Sequence, residues 1–217
     1  MEFEALPTVP RAEELVDQAF SRAARAGRAK DGREAQASML QTASNVLSDN
    51  LGNVVTAWPD LRTVDPFYRD LADAAVRRAD PDAAEGGDGA GLDALRAALS
   101  EVSWAAGKTH DLGREYQGRL PGETDAARGL RKQGFARMAD VVREVDDDLA
   151  LLGTVRDDLK QLPDVRPDEP TVVVAGYPNV GKSTFVNAAT SADTAAASIS
   201  LRSSAGRSSR PGVSTTW

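Results

Sequence analysis

The chain has 217 residues, 41% hydrophobic and 27% charged, with a net charge of −7 and no cysteine. That length can bury one large core or two small ones, and the lack of cysteine excludes disulfides and thiolate metal sites and fits a reducing cytoplasm. No apolar run reaches membrane-spanning length, and Met1-Glu2-Phe3-Glu4 lacks the regions of a signal peptide, so a cytoplasmic protein with no membrane partner is expected.

In chain order, the first 160 or so residues read as helix after helix. Thr8-Val9-Pro10 opens the first, whose apolar face is Leu15, Ala19 and Ala23, with Val16 and Phe20 beside them, before Gly27 weakens the pattern. A second, after Asp31-Gly32, carries Leu40, Ala43, Leu47, Val54 and Trp58 until Pro59 stops it. Asp65-Pro66 is an N-cap and N1 pair for a third, with Phe67, Leu71 and Ala75 as its apolar positions. The acidic, glycine-rich stretch Asp80–Gly91 is expected to be a flexible surface loop, and its spacing does not fit a calcium loop. A fourth helix runs from Leu92 through Leu95, Leu99 and Val102 toward Tyr116. A fifth, the longest, extends from about Glu123 to Leu162. Its stripe of Met138, Val141, Val145, Leu149, Leu152, Val155, Leu159 and Leu162 predicts a bundle core.

The expected fold is mainly α: a helical bundle over residues 1–162, a stiff proline-rich linker over 163–170, and a truncated P-loop α/β element over 171–193. That last element begins with a β-branched run, Val172-Val173-Val174, composed like a fully buried strand. It continues into Gly176-Tyr177-Pro178-Asn179-Val180-Gly181-Lys182-Ser183, a full match to G-x-x-x-x-G-K-[ST]. Backbone amides at a helix N-terminus suit a polyanion, and the two glycines allow backbone angles and approaches that a Cβ would block. The pattern assigns phosphate binding to Gly176, Asn179, Val180, Gly181, Lys182, Ser183 and Thr184. Lys182 would reach the β- and γ-phosphates and Ser183 would ligate Mg²⁺. No residue stands out as a catalytic group, and His110, the only histidine, has no second histidine or cysteine with which to hold zinc.

Two basic clusters interrupt this acidic chain. Arg22, Arg25, Arg28, Lys30 and Arg33 face a single acid, Asp31, while Arg128, Arg131, Lys132 and Arg137 stand in a stretch without acids. Either could be a solvated helix face with local ion pairs or a set of phosphate-backbone contacts to RNA.

A helical N-terminal domain followed by PTVVVAGYPNVGKSTFVNA resembles the nucleolar GTP-binding protein family in its prokaryotic-type form, ribosome-assembly GTPases related to the Obg group. EELVDQAFSRAARAGR is similar to that family's first helix, and the likeness covers roughly residues 1–193. It implies GTP or GDP, Mg²⁺, and association with large-subunit ribosome precursors and their rRNA rather than with DNA. The alternative is a non-enzymatic helical module that binds rRNA or the ribosome.

The chain also departs from the family. Only 34 residues follow Ser183, where a GTPase domain needs on the order of 150 in total. In place of a Pro-Phe-Thr-Thr-like switch stands Ala197-Ser198-Ile199-Ser200-Leu201-Arg202, and no D-x-x-G or [NT]-K-x-D follows the loop. A circular permutation does not supply them: Asp49-Asn50-Leu51-Gly52 lies within a helical pattern and Gly107-Lys108-Thr109-His110 fails the base-reading motif. Residues 194–217 are expected to be a disordered or aberrant tail, read as a frameshifted or truncated gene end or as a Ser/Arg-rich RNA-binding segment. Little or no GTP hydrolysis is expected of such a chain.

Overall fold

The computed structural model describes residues 3–161, Val174, Gly176, Tyr177 and residues 180–191. The chain divides into two units, Met1–Leu162 and Pro163–Trp217. The first holds α1 (Ala12–Gly27), α2 (Gly32–Thr56), α3 (Pro66–Ala79), α4 (Pro81–Glu85), α5 (Ala90–Gly118), α6 (Thr124–Glu144) and α7 (Asp146–Lys160); the second holds α8 (Lys182–Ser191). The described residues contain no β-strand. The expected linker, the strand except for Val174, and the tail lie outside them.

The two longest helices, α2 and α5, form the centre of the bundle, and they approach closely because Gly113 has no side chain. A Cβ there would lie 2.2 Å from Ser44 Oγ and 2.3 Å from Ser44 Cβ, well inside van der Waals contact. Gly134 does the same for α6: a Cβ would fall 2.8 Å from Leu40 Cδ2 and 3.0 Å from the Tyr116 ring. Cross-helix pairs then set the directions. Gln36 meets Arg131 and Leu40 meets Gly134, so α2 and α6 run parallel. Gln18 meets Asn50, and Phe20 stacks on Phe135, so α1 runs opposite to both.

Into this frame project Leu15, Leu40, Leu47, Leu51, Leu95, Met138, Leu149, Leu152 and Leu159, each essentially inaccessible to solvent. Every described member of the Met138–Leu159 stripe is buried, as its step of three and four predicts; Leu162 lies outside the described residues. In the first helix Leu15, Val16, Ala19 and Ala23 are likewise buried.

Several features differ from the sequence reading. The long helix is two: α6 stops at Glu144, Val145 leaves the helical basin at φ −103° and ψ 17°, and α7 restarts at Asp146. Three acids, Asp146, Asp147 and Asp148, form the first turn of α7, where the helix dipole favours negative charge. The Asp80–Gly91 loop contains the helical turn α4. Asp80 accepts from the Asp82 amide at 3.0 Å with Pro81 at N1, the same device that Asp65 and Pro66 use at α3. Arg77 binds the Gly86 carbonyl at 3.0 Å, and Asp73 accepts from the Leu92 amide at 3.0 Å, fixing both ends of that stretch. On α3 the inward face is Tyr68, Ala72, Ala75 and Val76, while Phe67 is 40% exposed and lies edge-on to Tyr68. Finally α2 ends at Thr56, and Trp58 is buried from the loop beyond it.

Asp146 also holds the N-terminus of α1. Its Oδ1 accepts from the Ala12 amide at 2.8 Å and from Arg11 Nε at 3.0 Å, and its Oδ2 pairs with the second arm of Arg11. Glu13 and Arg143 pair beside it at 2.7 Å.

Gly113→Ala is expected to destabilise the bundle by about 1–3 kcal/mol through overpacking, and Ser44→Gly in the same chain to recover part of that loss, as read by urea titration. The Arg11 hydrogen bond, together with the Ala12 amide, holds the Asp146 carboxyl below its ordinary range despite partial burial. Its stabilisation is therefore complete above the ordinary aspartate value of about 3.9 and is lost as pH falls through the depressed folded value. Asp146→Asn should be less stable than the parent by about 1 kcal/mol at pH 7, and the gap should close as pH falls through the depressed folded value of Asp146.

Candidate phosphate loop and basic bundle end

In the second unit, helix α8 starts at Lys182, directly after Gly181, whose φ of +85° is a left-handed conformation that side chains resist. No atom crowds a Cβ at Gly181, so the backbone angle alone requires glycine there. At Gly176 a Cβ would meet Val180 Cγ2 at 3.2 Å, a tight contact, and Lys182 Cδ at 3.8 Å, an ordinary one. The Lys182 ammonium folds back over the loop, donating to the carbonyls of Gly176 at 2.7 Å and Tyr177 at 2.6 Å. The cation is thus held above the same loop whose amides start the helix. The first turn of α8 carries no acid, and the Phe185 amide closes the turn onto the Gly181 carbonyl at 2.9 Å.

This geometry suits an anionic phosphate chain: free amides at a ten-residue helix N-terminus, a lysine already on the loop, and exposed Ser183 and Thr184 hydroxyls. Ser183 would supply a single oxygen to a Mg²⁺ ion. No group of three or more His, Asp or Glu that could hold a metal is found among the described residues, so the other ligands would be phosphate oxygens and water. Asn179 lies outside the described residues. Val174 is 36% exposed, Val180 61%, Phe185 60% and Tyr177 84%, so the buried environment expected around the strand is not formed by the described residues.

The two basic clusters, more than 90 residues apart in sequence, occur at one end of the bundle. A Cβ on Gly32, at the start of α2, would be 3.3 Å from Thr124 Oγ1 at the start of α6, and Gly27 at the end of α1 lies against Met39. Arg33 Nε donates to the Leu120 carbonyl at 3.1 Å, bringing the end of α5 to the same place. Within this end the nine predicted contacts have different commitments. Arg131 is half-buried, donates to Gln36 Oε1 at 2.8 Å and stacks over the Phe135 ring at 4.9 Å. Burial, then the neighbouring Arg128 charge, lowers its pKa. Arg131 is thus a brace between α2 and α6. Lys30 pairs with Glu34 at 2.9 Å and Arg128 with Asp125 at 2.8 Å, both exposed pairs of the weak kind. The Arg25 side chain reaches only Ser21, while the side chains of Arg22, Arg28, Lys132 and Arg137 are exposed and make no ion pair or hydrogen bond among the described residues.

Helical phase sorts them further. Phe135 and Arg143 mark the side of α6 that faces α1, and at 100° per residue Arg128 and Lys132 share that side. Arg137 points about 140° away from Lys132, onto the α5 flank. On α1, Arg22 and Arg25 fall within about 40° and about 20° of Gln18, on the side toward α2 marked by the Gln18–Asn50 bond, while Arg28 points outward. The structure adds Arg119, over the Tyr116 ring at 5.3 Å and paired with Glu115, and the exposed Arg114. Both were hidden in sequence among Asp111 and Glu115, which make that stretch look neutral. The two segments that imitate permuted GTPase motifs, residues 49–52 and 107–110, lie within α2 and α5.

Residues 3–166 match the model of the NOG1 N-terminal helical domain. The chain belongs to the NOG1 family. Residues 171–208 match the model of a 50S ribosome-binding GTPase, a match that runs beyond residue 193 into the Ser/Arg-rich segment. Similar proteins include the uncharacterized protein MJ1408 of Methanocaldococcus jannaschii, 29% identical over 202 residues, covering 88% of this chain and 53% of that protein. Nucleolar GTP-binding protein 1 of Caenorhabditis elegans is 28% identical over 88% of this chain and 28% of its own length. The Drosophila melanogaster protein of the same name is 30% identical over 67% and 20%. The chain thus spans about half of its archaeal relative and a smaller part of the eukaryotic ones.

Arg131→Ala is expected to cost the bundle about 1–2 kcal/mol, from the lost charged hydrogen bond and ring contact. Arg22→Ala and Lys132→Ala should stay within about 0.5 kcal/mol of the parent. Thermal melts of the three variants check this split.

Proposed function

We propose that this chain is the N-terminal part of a GTP-binding factor of the large-ribosomal-subunit assembly type. The observation that carries the nucleotide half of this reading is the loop from Gly176 to Ser183. Gly181 is left-handed, Gly176 leaves only tight room for a side chain beside Val180, and the Lys182 ammonium sits on two loop carbonyls at the head of a helix. On binding, Lys182 exchanges carbonyl partners for β- and γ-phosphate oxygens, the amides of Asn179–Thr184 hold the remaining phosphate charge, and Ser183 contributes to Mg²⁺. Mg²⁺, when bound, would offset charge on the β- and γ-phosphates.

Binding phosphates is separate from reading guanine and from positioning water. The 217 residues contain no [NT]-K-x-D and no D-x-x-G after the loop, and the groups that orient the attacking water in this chemistry belong to such segments. For the chain as it stands we therefore propose weak nucleotide binding with little base preference and little or no hydrolysis. The named relatives and the 50S ribosome-binding description of the GTPase match support the assembly role. The exposed, unpaired cations at the bundle end support rRNA as the partner, in a cytoplasmic setting. A second reading, a helical RNA- or ribosome-binding module without enzymatic activity, rests on those same cations and needs no nucleotide.

The purified chain is expected to bind GTP and ATP with similar, weak affinity and to release phosphate no faster than a Lys182→Ala control, by nucleotide titration and a phosphate-release assay. Micromolar GTP affinity with clear preference over ATP would overturn the weak-binding reading. Salt-dependent rRNA binding that is lost when Arg22, Arg25 and Arg28 become Ala, with no nucleotide effect, would favour the second reading.

A further inference from the structure

We infer that residues 3–11 are a latch, a strap bound along α7 like a peptide ligand. It opens ahead of the bundle and uncovers a groove that takes an extended peptide of the same pattern. This goes beyond the function proposed above and holds whether or not the chain binds nucleotide.

The strap is marked by burial that recurs every third residue. Phe3 and Leu6 are 3% and 2% exposed, Val9 is partly buried and Ala12 is buried, while Glu4, Ala5, Pro7 and Thr8 face solvent. No helix or strand forms between Leu6 and Pro10. Pro7 and Pro10 keep this backbone extended, and three residues per turn is the period of the polyproline conformation. Such a segment has no internal hydrogen bonds and is held by what it lies on.

It lies on α7 and α3. Arg11 Nε donates to Asp146 Oδ1 at 3.0 Å at the start of α7, and Val9 packs against Gly153. Further along, the Leu6 carbonyl and the Thr8 hydroxyl accept from Arg156 at 3.4 and 3.5 Å. The strap therefore runs antiparallel to α7. Five steps of polyproline chain and ten of α-helix both span about 15 Å, so these contacts stay in register. Asp146 and Gly153 are seven residues apart and share one side of α7. At the far end Phe3 lies edge-on to Tyr68 of α3, with ring centroids 6.4 Å apart.

The hold is weaker than that on the helix beneath. Besides three apolar anchors, the strap relies on the Arg11–Asp146 pair, whose side chains are 53% and 31% exposed, and on two long bonds from Arg156. Helix α7 is held by Leu149, Leu152, Val155 and Leu159, all at 0–1% exposure. Segments with few buried contacts and exposed hydrogen bonds open before the core does. Opening leaves α7 in place and bares Asp146, Gly153 and Arg156 beside Tyr68. Those groups define the ligand: apolar side chains three residues apart, prolines between them, and an arginine at the end facing Asp146.

The test uses the full 217-residue chain, which has no cysteine. A Cβ at Gly153 would stand 3.8 Å from Val9 Cβ, about the mean separation across a disulfide. Val9→Cys with Gly153→Cys therefore makes a reversible lock. The probe is a labelled peptide of residues 1–12, read by anisotropy. The reduced double variant is expected to bind it at least tenfold more tightly than the same protein oxidised. Leu6→Ala in the chain should bind it at least tenfold more tightly than the parent, because a larger fraction is open. A probe carrying Leu6→Asp should lose binding at least tenfold. Equal binding by the oxidised and reduced forms would overturn the proposal, since the peptide would then sit elsewhere. Absence of binding to the parent and Leu6→Ala alike would also overturn it. If circular dichroism shows that Leu6→Ala unfolds the bundle, the strap belongs to the cooperative core and is not a latch.

Discussion

The close approach of α2 and α5 at Gly113 and Ser44 is the constraint on which the bundle depends. With no Cβ on one side and a small side chain on the other, the two longest helices can lie nearly backbone to backbone. Any larger pair would push them apart and open voids along the leucine layers, where unmade contacts are costly. Gly134 repeats the device against Leu40 and Tyr116, so α6 is seated in the same register. Once these contacts are set, the end of α1, the start of α2, the end of α5 and the start of α6 must share one end of the molecule.

That enforced meeting gives an acidic protein a local surface of opposite sign. The net charge is −7, yet arginines that are far apart along the chain come together at one end, some of them paired with acids such as Glu34 and Asp125 and others not. Packing also sorts them by task. Arg131 is withdrawn into a brace with Gln36 and Phe135, whereas Arg28 and Lys132 remain free in solvent. A charge in water stays available to a partner, while a half-buried guanidinium with two contacts has already committed its donors. At the other junction Asp146 acts oppositely, using its charge to tie the start of α1 to the start of α7. The phosphate loop works by a third use of charge: the Lys182 ammonium is held on two carbonyls until a stronger acceptor arrives.

Much of this was legible in the residues. Periodicity located the buried stripe from Met138 to Leu159, and Asp65-Pro66 marked the start of α3, because both signals arise from local geometry. Two readings failed where a local signal was present but outweighed. The break at Val145 is announced by the three aspartates after it, yet the unbroken apolar stripe concealed it, since that stripe continues through the break. Asp80-Pro81 carries the same capping signal as Asp65-Pro66, but the surrounding glycines made the stretch read as loop. The inward face of α3 failed for another reason. Phe67 and Tyr68 are adjacent aromatics, and only the neighbouring helices decide which of them is buried.

The sequence by itself determined the helical class, the positions of most helices and the phosphate loop, because each rests on interactions within about one or two turns of chain. Gly181 is an example: its φ of +85° is a property of the residue and its immediate neighbours. Tertiary structure alone decided that two basic segments meet at one end of the bundle, that Arg131 serves the core while Lys132 faces water, and that Arg137 turns away. Those outcomes depend on which helices lie side by side and at what rotation. That is set by close contacts such as Gly113 with Ser44, between residues nearly 70 positions apart, which no local pattern records.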